Sequence, residues 1–313
     1  MSRSFRRTAA AFLAVGALLP ALAACGDDRG GGSVTVAGIT LDSPPERIVS
    51  LSPTSTEMLF AIGAGDEVVA VDKNSNFPPK APKGTIDAYT LNVEAVAAAN
   101  PDLVVLSGAD DDVLGALEKL EIPALVQPAA SNLKDAYTQL RQLGRLTGHA
   151  DEAEKVVGQM ASDIKEITAE TSGEPLSYYY ELDDQYYSVT SSTFIGQVLS
   201  LLGLHNIADA AATGGNTYPQ LSAEYILEQD PDLVLLADTK CCKQSAASVA
   251  ARPGWSDMKA VTHGGVVALD DDIASRWGPR LPQLLRTVAE AAGDIEPDHA
   301  AGADTMTTEA AHE

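Results

Sequence analysis

The stretch NVEAVAAANPDLVVL at residues 92–106 returns as SAEYILEQDPDLVLL at residues 222–236. The two copies align without a gap at an offset of 130 residues, so that Glu94 matches Glu224 (224 − 94). Each copy predicts a short helix, whose first residue is a good N-cap, and then a strand covered on both faces. The proline between them ends the helix, because it lacks an N–H donor and crowds the preceding turn. One α/β unit that occurs twice predicts two similar lobes with a small-molecule cleft between them.

The first 24 residues have the pattern of a secretory signal. Three arginines lie among the first seven residues, and the apolar segment Ala9–Leu22 is too short for an ordinary transmembrane helix. The tetrad Leu-Ala-Ala-Cys that ends at Cys25 resembles the bacterial lipobox, which implies cleavage before Cys25 and lipidation of its thiol. The alternative is an ordinary signal peptide with an incidental cysteine. Lipid chains would tether the protein to a membrane without spanning it, and we expect the substitution Cys25→Ala to abolish palmitate labelling.

The rest of the chain divides by composition and by hydrophobic periodicity. Strands that alternate with helices predict a mainly parallel sheet, flanked by helices, in each lobe of an α/β protein. One long helix between the two repeats is either a strut that joins the lobes or a surface helix of one lobe, and its periodicity fits both. The predicted segments are a signal peptide (1–24), a flexible tether (25–33), an N-terminal lobe (34–149), a linking helix (150–171), a C-terminal lobe (172–292) and a disordered acidic tail (293–313).

The charge of the chain is strongly negative. The 313 residues carry a net charge of −23, and 45% of them are hydrophobic, enough for a sizeable core. Removing residues 1–24 removes three of the 21 basic residues and none of the 44 acidic ones, so the mature chain has a net charge of −26. Such a surface repels nucleic acid and anionic membranes, which excludes both as partners except through the lipid anchor.

Four motifs in a fixed order resemble one protein family: RIVSLSPTSTE (47–57), NVE with NPDLV (92–104), SAE with PDLV (222–234) and ASRWGPR (274–280). The chain is similar, from about residue 34 to residue 292, to substrate-binding lipoproteins of bacterial ABC importers. Within that family it resembles the group that binds iron-siderophores, haem or cobalamin. Each motif alone is weakly specific, whereas their order and spacing together are strongly specific.

The resemblance implies a non-enzymatic, monomeric protein, lipid-anchored on the extracytoplasmic face of the cell membrane. Its two lobes would be joined by the long helix. It would capture an iron complex, such as a siderophore or a similar chelate, and deliver it to permease subunits. Cobalamin and haem are the alternative ligands. Glu94 and Glu224 match the two lobe-surface glutamates that pair with arginines of the permease in this family.

The cleft should be lined by the loops at the carboxyl ends of the strands. These loops comprise residues 53–55, 74–77, 87–90, 107–111, 183–187, 218, 240–243 and 271–280. The candidate ligand-binding residues are Arg276, Trp277, Arg280, Tyr187, Tyr218 and Tyr89. Arginine offers permanently charged donors to carboxylate, catecholate or phosphate oxygens, and tryptophan offers a flat stacking surface. The structural alternatives are that Arg280 pairs with an acid such as Asp271 and that Trp277 and the tyrosines fill the core.

Two features of the sequence narrow the choice of ligand. Cobalamin-binding relatives carry aromatic residues where this chain has Asn74 and Ala88, which disfavours cobalamin. His205 and His263 are isolated, and the spacing of a three-histidine site is absent, which disfavours a bare metal ion. No cofactor is expected.

The adjacent pair Cys241–Cys242 has three interpretations. Thiols tend to be oxidised outside the cell, and a lipidated Cys25 would leave these two cysteines only each other as partners. A strained vicinal disulfide is favoured, while buried free thiols and a soft-metal pair remain open.

Two other classes of function compete with import. A membrane-tethered hydrolase is disfavoured, because the chain has no Gly-x-Ser-x-Gly elbow, no His-Glu-x-x-His motif and no phosphate loop. A structural or adhesion lipoprotein would have no use for a cleft with cationic loops.

Overall fold

The computed structural model describes residues 32–171 and 175–295. The predicted signal peptide, Cys25, most of the tether and residues 296–313 therefore lie outside the described residues. Within those two ranges, no helix combines the length and the apolar character needed to cross a bilayer.

The N-terminal lobe is built on a parallel sheet with the strand order β4-β3-β5-β6. Its strands are β3 (Ile48–Leu51), β4 (Val68–Val71), β5 (Leu103–Leu106) and β6 (Ala124–Val126), preceded by the antiparallel hairpin β1 (Val34–Val36) and β2 (Ile39–Leu41). Its helices are α1 (Pro53–Ala61), α2 (Val93–Ala97), α3 (Asp111–Lys119) and α4 (Leu133–Thr147). Strands β3 and β5 are buried along their whole length, as continuous apolar runs require.

The C-terminal lobe repeats this arrangement with the equivalent order β8-β7-β9-β10, again all parallel. Its strands are β7 (Ser177–Glu181), β8 (His205–Asn206), β9 (Leu233–Leu236) and β10 (Val266–Ala268). Its helices are α6 (Phe194–Ser200), α7 (Ala208–Ala211), α8 (Ala223–Gln229), α9 (Ala246–Ala250), α10 (Lys259–Thr262), α11 (Asp271–Ala274) and α12 (Leu281–Ile295), with a 3-10 turn at Trp255–Asp257. The last helix extends to Ile295, so the tail predicted from residue 293 begins too early. Ile295 is buried in the hydrophobic core, and the packing of its side chain there keeps the final turn helical.

Helix α5 (Ala150–Glu170) joins the two lobes. It packs against α4 of the N-terminal lobe and against α12 of the C-terminal lobe. Its buried face carries Ala153, Val157, Met160, Ile164 and Ile167, which belong to a hydrophobic core that continues into both lobes. Of the two interpretations of the long helix, the strut is confirmed, because a surface helix of one lobe would not share its buried face with the other.

The repeated Pro-Asp step has the same structural role in both lobes. Asp102 accepts hydrogen bonds from the backbone N–H groups of Glu46 and Arg47 at 2.8 and 2.9 Å, just before β3. Asp232 accepts hydrogen bonds from the backbone N–H and the hydroxyl of Ser177 at 2.8 and 2.7 Å, at the start of β7. Each aspartate thus aligns the first strand of the parallel sheet of its lobe with the repeated strand.

Helix α4 is absent from the sequence-based prediction. Asn132 caps it through a hydrogen bond from the N–H of Asp135, and Gly148 ends it in the left-handed conformation with φ of 78°. One of its faces is buried against α5 and α1. Its residue Gln139 reaches the space between the lobes, so this helix contributes to the site described next.

Candidate ligand cleft

A cavity of about 700 Å³ lies between the two lobes. This volume is in the range of small-molecule binding clefts. The N-terminal lobe contributes only residues 129–131, which follow β6, and the C-terminal lobe contributes the rest. The lining consists of Ala129, Ala130, Ser131, Tyr180, Leu182, Val189, Ser192, Thr193, Phe194, Ile195, Gln197, Thr217, Tyr218, Ala237, Cys241, Asp271, Asp272, Ala274, Ser275, Arg276 and Trp277.

The uncharged part of the lining combines aromatic rings with hydroxyl and amide groups. Phe194 stands at the first position of α6, where Thr193 caps the helix through the N–H of Gly196 at 3.1 Å. Residue 196 must be glycine, because a Cβ there would lie 2.1 Å from the carbonyl oxygen of Thr190. Gln197 donates a hydrogen bond across the cleft to the backbone oxygen of Ser131 at 2.8 Å. These groups can stack on a flat ligand and exchange hydrogen bonds with neutral polar substituents.

The charged side chains of the lining are all paired with one another or with neighbours. Asp271 accepts hydrogen bonds from the backbone N–H groups of Thr239 and Lys240 at 3.0 and 2.8 Å. Asp272 contacts the ammonium group of Lys240 at 2.6 Å and the guanidinium group of Arg276 at 3.0 Å. Because Arg276 is the single cation of the lining and is engaged by carboxylates, the described cavity wall offers no free positive charge to a ligand.

A buried ion-pair network joins the lobes at one end of the cleft. Glu57 on α1, whose side chain is 2% exposed, accepts hydrogen bonds from Arg276 at 2.7 Å and from Arg280 at 2.9 Å. We call Glu57, Arg276 and Arg280 the lobe clamp. Arg276 also donates to the side chain of Asn76 at 3.0 Å, and Asn76 donates to Asp272 at 3.0 Å. The clamp therefore holds the loop after β10 against the N-terminal lobe.

The structure divides the six predicted ligand residues into two groups. Arg276, Trp277 and Tyr218 line the cavity, whereas Arg280, Tyr187 and Tyr89 do not. Tyr89 is 88% exposed.

Both arginines are paired with carboxylates in the structure. Glu57, rather than Asp271, is the partner of Arg280, whose guanidinium group also stacks at 4.1 Å from the ring centroid of Phe77. Trp277 is partly buried and donates a hydrogen bond from Nε1 to Gln139 of α4 at 2.7 Å. Its ring is therefore fixed from the N-terminal lobe while it lines the cavity.

Sequence reasoning missed the cavity residues that follow β6 and those that lead into α6. Ser131 lies beyond the carboxyl end of β6, so the rule that was applied to the other strands would have found it. Ser192 lies at the end of the loop between β7 and α6, and Phe194 is the first residue of α6. The N-cap residue Thr193 was the sequence signal that marks this helix start. Glu57 carried no signal of its role, because it lies inside a predicted helix.

The side chains of Cys241 and Cys242 are free thiols in the structure, with their sulfur atoms 2.7 Å apart. Cys241 lines the cavity. Loss of hydration, the neighbouring Cys242 and the carboxylates of Asp238 and Asp271 raise the pKa of the Cys241 thiol to about 12.

Asp238 is a buried carboxyl group behind the cavity wall. It is fully buried, and neither oxygen has a hydrogen-bond partner among the described residues. Beside it, the buried carboxylate of Glu181 is held by Arg252 at 2.6 and 2.7 Å. Burial and then the charge of Glu181 raise the pKa of Asp238 to about 7, so the group is largely protonated in slightly acidic solution.

We expect Asp238→Asn to stabilise the protein more at pH 8 than at pH 5. The ordinary pKa of 3.8 applies to the unfolded chain, so the contribution of Asp238 is fully present below pH 3.8 and is lost as the pH rises to about 7. Asparagine removes this loss, and its stabilising effect should grow by about 2–3 kcal/mol between pH 5 and pH 8. Urea unfolding at both pH values measures it. The matched control is Asp184→Asn at an exposed position. An equal change in stability at both pH values would contradict the raised pKa of Asp238.

The two matched glutamates are surface residues on different lobes. Glu94 lies in the first turn of α2 and Glu224 in the first turn of α8, and both are exposed. The N-caps of these helices are Asn92, which accepts from the N–H of Glu94 at 2.9 Å, and Ser222, which accepts from the N–H of Tyr225 at 3.1 Å. Neither glutamate side chain forms an ion pair within the part of the chain that the structure describes.

The two-lobed architecture has a counterpart among known protein families. Residues 48–273 match the family model described as "Periplasmic binding protein". The chain belongs to the periplasmic binding protein family. The match spans both parallel sheets and the strut helix α5. This periplasmic binding protein is accordingly a solute-binding protein and not an enzyme.

Individual relatives extend this assignment. The protein is 31% identical over 271 residues to the "Uncharacterized ABC transporter substrate-binding lipoprotein YvrC" of Bacillus subtilis, which covers 83% of each chain. It is 30% identical over 263 residues to a "Cobalamin-binding protein" of Halobacterium salinarum, which covers 81% of this chain and 71% of that protein. Among solved structures, the periplasmic vitamin B12 binding protein BtuF of Vibrio cholerae superposes with a TM-score of 0.64 at 26% identity, covering 80% of this chain and 97% of that one.

Proposed function

We propose that this periplasmic binding protein captures a cobalamin-type corrinoid outside the cytoplasm and delivers it to an ABC-transporter permease. The observation that carries the choice of ligand is the chemistry of the cavity wall. Its polar groups are hydroxyls and amides, and its one cation is engaged by Glu57 and Asp272. The corrin ring of such a ligand is broad and largely apolar and is edged with neutral carboxamides, which can exchange hydrogen bonds with these hydroxyl and amide groups.

An iron chelate, the ligand predicted from the resemblance, is the competing candidate. Ferric siderophores of the catecholate type and haem carry anionic oxygens, which binding sites usually meet with free arginine or lysine. Here Arg276 could serve an anion only by leaving Glu57, and that would leave a buried carboxylate without its partner. The two relatives named for cobalamin or vitamin B12 support the corrinoid as well.

Aromatic residues were expected at positions 74 and 88 of a cobalamin-binding protein, and this chain has Asn74 and Ala88 there. In the structure, the backbone oxygen of Asn74 accepts a hydrogen bond from Arg276, and neither Asn74 nor Ala88 lines the cavity. The stacking surfaces come from Phe194, Tyr218 and Trp277 of the C-terminal lobe instead. We propose that this lobe supplies most of the contacts to the ring system.

Equilibrium dialysis of the full-length chain against cyanocobalamin, haemin, a ferric catecholate and a ferric hydroxamate tests the proposal. We expect saturable binding of cyanocobalamin alone, read from the absorbance of the corrin. Replacing Trp277 by alanine should weaken it by about tenfold or more, because a buried aromatic contact is lost. Trp277→Phe should retain most of the affinity.

Tyr89→Ala is the matched control, because it removes an equally flat side chain that does not line the cavity. Its affinity should equal that of the wild type. Binding of a ferric chelate without binding of cyanocobalamin would overturn the corrinoid proposal and restore the iron chelate.

The proposed route of delivery rests on three residues that do not line the cleft. We propose that lipidation of Cys25 anchors the protein on the extracytoplasmic face of the cell membrane, in line with the lipoprotein relative. We also propose that Glu94 and Glu224 dock to the permease. One exposed carboxylate on each lobe lets a partner recognise both the orientation of the protein and the spacing of its lobes.

A further inference from the structure

Two adjacent thiols lie at the wall of the cleft, and one of them, Cys241, lines the cavity. Cys241 and Cys242 follow β9 in the segment of residues 238–244, which we call the cysteine loop. Their sulfur atoms are 2.7 Å apart, Cys241 is exposed and lines the cavity, and Cys242 is half-buried. A small molecule that enters the cleft can therefore reach this pair.

The cysteine loop is held in place by the loop after β10. Asp271 accepts hydrogen bonds from the backbone N–H groups of Thr239, Lys240 and Cys241, at 3.0, 2.8 and 3.3 Å. The ammonium group of Lys240 binds Asp270 at 2.9 Å and Asp272 at 2.6 Å. The backbone of the thiol pair is thus bonded directly to the segment that leads into the lobe clamp.

The same segment continues across the cleft. Asp272 contacts Arg276 at 3.0 Å and accepts a hydrogen bond from Asn76 of the other lobe at 3.0 Å. Arg276 in turn pairs with Glu57 at 2.7 Å. A movement of the cysteine loop therefore acts on the contacts that hold the lobes together.

A disulfide between adjacent cysteines conflicts with the geometry of this loop. Neighbouring Cα atoms are about 3.8 Å apart across a trans peptide, whereas disulfides usually join Cα atoms about 4.4–6.8 Å apart. Ring closure must therefore distort the backbone at Cys241 and Cys242, whose N–H groups bond to Asp271 and to the carbonyl of Asp238. Because the ring encloses no further residues, it restricts the unfolded chain very little. The oxidised form should be strained, less stable and easily reduced.

We propose that Cys241 and Cys242 form a redox-active site on the cleft wall, which low-molecular-weight disulfides oxidise and thiols reduce, and that its oxidation loosens the lobe clamp. In the oxidation, the thiolate of Cys242 attacks a sulfur of the small disulfide and breaks its S–S bond, which releases one thiol, because the raised pKa of Cys241 disfavours that residue as the first nucleophile. The second cysteine then displaces the other half as a second thiol while the Cys241–Cys242 bond forms. The two protons and two electrons lost by the protein leave on the two small thiols, and disulfides of this class persist outside the cytoplasm.

The test equilibrates the full-length chain in detergent with graded ratios of reduced and oxidised glutathione. Alkylation and intact-mass measurement then count the free thiols, and the thermal midpoint is recorded at each ratio. We expect a reversible loss of two daltons, accompanied by a thermal midpoint lower by about 2–4 °C. Cys242→Ser is the control, because it prevents ring closure but leaves Cys241 on the cavity wall. Cys241→Ser provides a second such control, and Cys25 is common to all three proteins.

Cyanocobalamin affinity, measured in both redox states, extends the test to the cargo and rests on the proposed function. We expect oxidation to weaken binding by about tenfold in the wild type and to have no effect in Cys242→Ser. An unchanged mass at every ratio would overturn the proposal, and so would a two-dalton loss without any change in the thermal midpoint. Reversible oxidation with the thermal change, but no cyanocobalamin binding in either state, would support the redox site and refute the corrinoid.

Discussion

Replacing Glu57 by glutamine should destabilise the protein by about 3–5 kcal/mol, the cost of removing one partner from a buried ion pair. The carboxylate of Glu57 is buried and neutralises Arg276 and Arg280, which are themselves largely buried. Glutamine keeps the size of the side chain but removes the carboxylate that pairs with Arg280 and leaves Arg276 with Asp272 as its counter-charge. Urea unfolding, monitored by circular dichroism, measures the loss.

The matched control for this substitution is Glu154→Gln. Glu154 also forms a two-bonded ion pair with an arginine, Arg141, at 2.8 and 3.0 Å, but on the surface. Solvent screens an exposed pair, so its removal should leave the unfolding midpoint almost unchanged. If both substitutions had similarly small effects, the lobe clamp would not contribute to stability as its burial indicates.

A second variant separates the loss of charge balance from the loss of contacts. Arg280→Met together with Glu57→Gln removes a cation and the anion at once. If the cost of Glu57→Gln arises from uncompensated positive charge, the double variant should be more stable than the sum of the two single variants predicts. Simple additivity would assign the cost to packing instead.

Reversing the charge of either surface glutamate, Glu94→Arg or Glu224→Arg, should reduce uptake of labelled cyanocobalamin by whole cells to background. The purified variants should bind cyanocobalamin as tightly as the wild type, because neither residue lines the cavity. Both side chains are exposed, so the fold should tolerate the change. At an interface, a like charge opposite a permease arginine costs several kcal/mol, which is enough to prevent productive docking.

Glu118→Arg is the control for non-specific effects of added positive charge. Glu118 is exposed near the end of α3 and belongs to neither of the repeated helices. Uptake by this variant should match the wild type. Undiminished uptake by both Glu94→Arg and Glu224→Arg would refute the docking role, and lost ligand binding in the purified variants would point to a structural role instead.

The fold was predictable because its signals are local. The N-caps at Asn92 and Ser222, the helix-ending prolines and the two buried apolar runs each depend on neighbouring residues. Together they indicated two parallel α/β lobes, and the apolar face of residues 150–170 indicated a long helix, whose position between the lobes only the packing decided. Helix α4 was missed although its cap, Asn132, and its final glycine, Gly148, are equally local, so this omission reflects a signal that was present and not used.

The roles of the site residues depended on distant parts of the chain. The sequence shows that Arg276 and Arg280 are cations near an aromatic ring, and this alone favours a ligand-binding role. Their partner Glu57 lies 219 residues before Arg276, within an ordinary helical pattern. Only the packing of the two lobes brings these charges together as an ion-pair network that joins the lobes.

The sequence alone was sufficient to predict the repeated unit, the order of the elements and the family. These features depend on backbone preferences and hydrophobic periodicity, which neighbouring residues determine. It was not sufficient for the wall of the cleft. Ser131 meets Gln197, and Trp277 meets Gln139, across 66 and 138 residues. Which charges remain free for a ligand is decided by such long-range pairing, since a buried ion takes whichever counter-charge the folded chain places beside it.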